Sequence, residues 1–123
     1  MATAIHEYNG KKIAEVTGSG IIVGSVNDAM QIMMDQSYAG VNRVIFHKSN
    51  IVDKFFDLKT GLLGELLQKA VNYRVKIAFI GDFSAIDSKS LKAFIYESNQ
   101  GNQNFFTESV SGALTLLTKS KVK

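Results

Sequence analysis

Cysteine and proline are both absent from the 123 residues. The missing cysteine removes disulfides and thiolate chemistry and says little about compartment. The missing proline means that no helix or strand is broken by one. Long apolar runs are absent too: the most apolar stretch, Ile77-Ala78-Phe79-Ile80, is far short of the roughly 18 residues that cross a bilayer. The opening Met1–Glu7 has no basic segment followed by an apolar one, so no secretory signal is expected. These omissions predict a cytoplasmic protein without membrane association.

A basic body is also lacking. The chain holds 14 Lys+Arg and 11 Asp+Glu, a formal charge of +3, and Lys119, Lys121 and Lys123 carry the whole surplus. A nucleic-acid binder shows a basic face or stripe, so no nucleic-acid partner is expected. The length fits one domain, large enough to bury roughly two thirds of the unfolded surface. The expected organisation is a single domain over residues 1–118, followed by a lysine-rich frayed tail at 119–123.

What is present alternates in character. Residues 3–8 and 11–17 read as strands joined at Asn9-Gly10, a pair that tolerates the positive φ of a type I′ turn. Ile21-Ile22-Val23 reads as a third short strand. Val26, Ala29, Met30 and Met33 then recur at helical spacing over 26–39, with Ser25 as N-cap and Gly40 beyond the end. Val44-Ile45-Phe46 is a strand core. After a connection holding Phe55 and Phe56, paired leucines at 62/63 and 66/67 and Ala70/Val71 form one face of a helix from about 60 to 73. Residues 75–80 read as a central strand covered on both faces. Helices around Leu91–Ser98 and Val110–Leu117 flank a short strand at Phe105-Phe106. The predicted order is β-β-β-α-β-α-β-α-β-α, an α/β fold with a mixed, mostly parallel sheet opened by a β-hairpin.

Catalytic motifs are scarce. Gly18 and Gly20 precede a strand instead of leading from strand to helix, so they fail as a phosphate loop. His6 and His47 lie far apart in sequence, without the spacing of a helical metal pair, and no G-x-S-x-G elbow marks a nucleophile. No catalytic residue, metal or cofactor is implied. Parallel strands and the helices that follow them nevertheless bring polar residues to one rim, at the strand carboxyl ends. Ser25, His47, Asp57, Thr60, Asp82 and Ser84 belong there, with His47 within possible reach of Asp82. Thr60 is placed as the N-cap of the second helix. It is also a candidate phospho-acceptor, since a phosphoryl group there meets free N–H groups and the positive end of the helix dipole.

The run Phe55-Phe56-Asp57-Leu58-Lys59-Thr60-Gly61-Leu62-Leu63-Gly64-Glu65-Leu66-Leu67, together with Gly81-Asp82-Phe83-Ser84 and Phe94-Ile95-Tyr96-Glu97-Ser98-Asn99, resembles the bacterial domain-of-unknown-function family four-one-eight-zero. More remotely the chain is similar to STAS domains, the fold of anti-sigma-factor antagonists. That resemblance implies a hairpin, a mixed sheet and a switch in which a kinase modifies a hydroxyl residue beside a glycine at the second helix. Asp57 and Thr60-Gly61 match the acidic residue and the acceptor, with Thr in place of Ser, one extra residue and the intervening Lys59.

Three functions follow as expectations. The first is a non-enzymatic protein-interaction or regulatory module with an unidentified protein partner, using the edge from Asp57 through Lys59 and Gly61 to Gly64, with Asp82, Ser84 and His47 nearby. The second is a small-ligand protein or enzyme on the same rim. The third is a homo-oligomer formed through Tyr96, Phe83, Phe105 and Phe106, since aromatic residues are enriched at interfaces.

Overall fold

A computed structural model describes residues 1–119. Its strands are β1 (Ala2–Tyr8), β2 (Lys11–Thr17), β3 (Arg43–His47), β4 (Lys76–Ile80) and β5 (Asn104–Thr107). Its α-helices are α1 (Val26–Tyr38), α2 (Leu62–Asn72), α3 (Lys89–Gln100) and α4 (Val110–Thr118). The strands lie side by side in chain order, with β1 antiparallel to β2 and every later pair parallel. Asn9 and Gly10 take positive φ values of 52° and 75°, so the hairpin closes as the Asn-Gly pair requires.

The unidirectional order dictates the layers. Successive right-handed crossovers that always step the same way put their helices on one face. Val16, Val44, Phe46, Ile77, Phe79 and Phe106 point to that face and meet α1, α2 and α3 in one core. Phe46, Phe79 and Phe106 occupy neighbouring strands and stack across them, with ring centroids 6.2 and 5.0 Å apart. Phe56, Phe83 and Phe94 meet this row at tilted or edge-on angles. The alternate residues Ile13, Ile45, Ala78, Ile80 and Phe105 form a smaller cluster under Ala113 and Leu117 of α4.

Helix α4 crosses that second face from the end of β5 toward the hairpin. Asn9 Nδ2 donates to Thr118 Oγ1 at 3.0 Å, and Arg43 Nε donates to the Leu117 carbonyl at 2.9 Å. Nine residues of helix, about 14 Å, cannot cover a five-stranded face. Among the described residues, the corner of this face at His6, Glu15 and His47 stays partly exposed.

Several expectations change. The third strand reduces to a single parallel bridge, Val23 with Ile51, outside the sheet. Ile22 and Val23 N–H both donate to the Asn50 carbonyl, so this segment follows the connection after β3 and never joins a ladder. Of the aromatic residues expected at a self-contact, Phe83, Phe105 and Phe106 are core, and Tyr96 alone is well exposed. Lys119 places its ammonium 5.0 Å over the Phe105 ring; the rest of the expected tail, residues 120–123, lies outside the described residues. No helix among the described residues is long and apolar enough to cross a membrane.

Candidate functional site

The connection from β3 to α2 winds through three short 3-10 turns, Lys48–Asn50, Asp53–Phe56 and Leu58–Thr60. Two apolar anchors fix it, Phe55 and Phe56, both buried in the three-helix core. A polar anchor joins them: Asn50 is buried, and its Nδ2 donates to the Gly18 and Gly20 carbonyls at 2.8 Å each. A buried amide is costly unless its hydrogen bonds are met, and these ones bind the turn after β2 to the rim.

With the connection fixed from below, Asp57, Lys59, Thr60, Gly61 and Gly64 all face solvent. The Asp57 carboxylate accepts the Lys59 N–H at 3.2 Å. Thr60 does not cap α2 by itself, as the spacing predicts. It ends the last 3-10 turn, and Gly61, at φ 75°, takes the cap position before Leu62. The Thr60 hydroxyl lies 2.9 Å from the Asp57 carbonyl and 3.1 Å from that of Lys54, and Leu62 N–H donates to it at 3.2 Å. The reason is the left-handed glycine, which turns the chain between Thr60 and the helix; Thr60 therefore fastens the loop and supports the first N–H of the helix.

Asp82 and Ser84 form a separate local unit beyond β4. The Asp82 carboxylate accepts the Ser84 hydroxyl at 2.6 Å and its N–H at 3.0 Å. Those two bonds, the hydroxyl foremost, with help from the charge of Lys48, hold the Asp82 carboxyl below its ordinary range. Between the two units is an open cavity of about 490 Å³ lined by Lys48, Asp53, Phe56, Asp57, Ile86 and Asp87 among others. A second groove of about 410 Å³ runs between α2 and α3, past Gly64, Leu67, Val71 and Phe94. The hydroxyls of Ser25, Ser88 and Ser109 cap helices α1, α3 and α4.

His47 is not part of this group. Strand alternation turns its side chain to the α4 face, where Nε2 lies 2.7 Å from Glu15 Oε2. His6 Nε2 lies 2.8 Å from Glu15 Oε1. One carboxylate thus joins two imidazoles from the strands on either side, in the corner that stays partly exposed. Burial pushes the Glu15 carboxyl up, but the hydrogen bonds and charges of His6 and His47 outweigh it, and the net shift is downward. Among the described residues no group of three His, Cys, Asp or Glu side chains could hold a metal ion. With each Nε2 directed at its own oxygen, the arrangement ties β1, β2 and β3 together.

Sequence reasoning missed this cluster and Asn50. The available signal was Glu15 itself, a charge in the same alternation phase as Ile13, where a strand needs either an apolar residue or a partner.

No curated protein and no solved structure matches the chain. A family model described as a domain of unknown function, DUF4180, matches residues 8–117, from the last residue of β1 through nearly the whole of α4, and the chain belongs to that family.

Proposed function

We propose that the chain is a non-enzymatic protein-interaction module of regulatory type, and that its partner docks on the rim from Asp57 to Gly64. One observation carries this reading: a loop whose aromatic residues are locked in the core presents Asp57, Lys59, Thr60, Gly61 and Gly64 to solvent, while Leu58, Leu62 and Leu63 turn inward. A surface fixed before binding loses little entropy when it is engaged. The hairpin followed by crossovers on one face supports the likeness to anti-sigma-factor antagonists.

Thr60 suits a switch at this edge. Its hydroxyl proton is directed at backbone carbonyls of its own loop. Phosphorylation would remove that donor and put roughly two negative charges against the same carbonyls. The turn would loosen and the edge, neutral while Asp57 and Lys59 balance, would become negative.

The test is affinity capture with the full chain and with Asp57→Lys, Lys59→Glu and Thr60→Glu, followed by binding measurements on whatever protein is retained. Weakening of about tenfold or more by the charge reversals supports the rim. A partner indifferent to all three changes defeats it, and absence of phosphate on Thr60 in cell extracts removes the switch.

The cavity beside Asp57 favours a second reading, a small-ligand protein. Its size is that of ordinary ligand sites, about 300–1,000 Å³. Ligand-induced thermal stabilisation that is lost in Asp57→Ala, with no protein captured, would select it.

A further inference from the structure

Among the described residues no strand lies beside the outer edge of β1, which ends the sheet. Edge strands are normally protected by charged side chains, lysine above all, or by proline, a bulge or shortness. β1 runs seven residues, Ala-Thr-Ala-Ile-His-Glu-Tyr, in unbroken register with β2, with Glu7 near one end as its acidic charge and no lysine, proline or bulge. Ile5 at its midpoint is 52% exposed. We propose that this edge pairs antiparallel with the same edge of a second copy, about a two-fold axis through Ile5.

The backbone sets which residues face outward. A two-residue turn places a hydrogen bond between the Tyr8 carbonyl and the Lys11 N–H. Antiparallel pairs alternate, so Tyr8, His6, Ala4 and Ala2 direct their backbone groups to β2. Thr3, Ile5 and Glu7 direct theirs outward. An axis through Ile5 sets Ile5 opposite Ile5 and Thr3 opposite Glu7 of the second copy. In that register each outward N–H and C=O along the strand finds a partner.

The side chains favour the same register. Thr3, Ile5 and Glu7 share one face, opposite to His6. The two Ile5 side chains cover each other, and each Thr3 hydroxyl meets a Glu7 carboxylate. Centring the axis on Glu7 would instead oppose two carboxylates, which is unfavourable. Centring it on Thr3 would leave Glu7 unpaired. On the opposite face His6 meets only Ala4 of the other copy, so its bond to Glu15 is undisturbed. The occupant of the edge is therefore a second copy of this chain, and the pair forms one continuous sheet with both rims free.

The natural chain has no cysteine, so single cysteines report the contact directly. Opposed residues of a hydrogen-bonded pair have Cα atoms about 5.5 Å apart, within the range a disulfide spans. Under mild oxidation Ile5→Cys is expected to cross-link to itself. Thr3→Cys should not, but should cross-link when mixed with Glu7→Cys. The parent chain is expected to sediment as a dimer at high micromolar concentration, and Ile5→Lys to raise the dimer Kd about tenfold or more while keeping its circular dichroism. A parent chain that stays monomeric throughout that range overturns the proposal. So does a dimer that cross-links as readily through Thr3 alone as through Ile5. Should Ile5→Lys not fold, the cross-linking pattern decides alone.

Discussion

The two faces of the sheet are built on different plans. The face under α1, α2 and α3 is apolar from Val16 across Val44, Phe46, Ile77 and Phe79 to Phe106, with a phenylalanine from each of three neighbouring strands stacked in a row. The face under α4 is apolar only where that helix lies, and its partly exposed corner is held by a carboxylate between two histidines. The difference shows how helix count sets sheet chemistry. Where helices suffice, burial of apolar area supplies the stability; where they run out, polar groups that tolerate water take over the joining of strands.

The largest test of this contrast is Phe79→Ala. Phe79 is fully buried and touches both its stacked neighbours and Phe56. Loss of a buried phenylalanine costs about 3–5 kcal/mol, and urea unfolding should show a drop of that order or outright failure to fold. A loss below about 1 kcal/mol would mean that the row is not the main core.

On the other face Glu15→Ala should cost less, about 1–3 kcal/mol, because it strands two partly buried imidazole N–H groups. Its pH signature is more telling. The Glu15 carboxyl titrates lower in the folded chain than in the unfolded one, so its contribution is complete above the ordinary carboxylate range and is lost as pH falls through the depressed value. The stability difference between the parent chain and Glu15→Ala should therefore shrink on acidification below about pH 5. A difference constant from pH 7 to pH 3 would show that the carboxylate charge is irrelevant there.

The smallest expected effect is at the margin of α4. Lys119→Ala removes a cation held over the Phe105 ring, and such contacts at exposed sites are worth about 0.5–1 kcal/mol. Thermal unfolding at low and high salt should register a slight loss. A loss above about 2 kcal/mol would mean that α4 docking depends on this residue.

Local chemistry made much of this fold legible in advance. Asn9-Gly10, Ser25 and Gly40 each act where their conformational preferences put them, and the continuous apolar run 77–80 is the buried β4. What failed depended on pairing between distant segments. Ile21–Val23 has the composition of a strand, but its N–H groups go to Asn50, which nothing nearby in sequence announces. His47 and Asp82 both end parallel strands, so the sequence allows His47 to approach Asp82; the parity of β3 sends it to the opposite face, beside Glu15. Thr60 was placed within one residue of the helix start, and the positive φ of Gly61 decides the rest.

The bond from Asn9 to Thr118 spans 109 positions, whereas each parallel strand pairs with the strand formed just before it. Growth of the sheet therefore needs only successive short loop closures, and the docking of α4 is the one closure that runs nearly the length of the chain. Long closures are slow because their entropy is lost before any contact offsets it. During synthesis the three-helix side can assemble strand by strand as residues emerge, while Ile13, Ile45 and Phe105 stay uncovered until the last helix has left the ribosome.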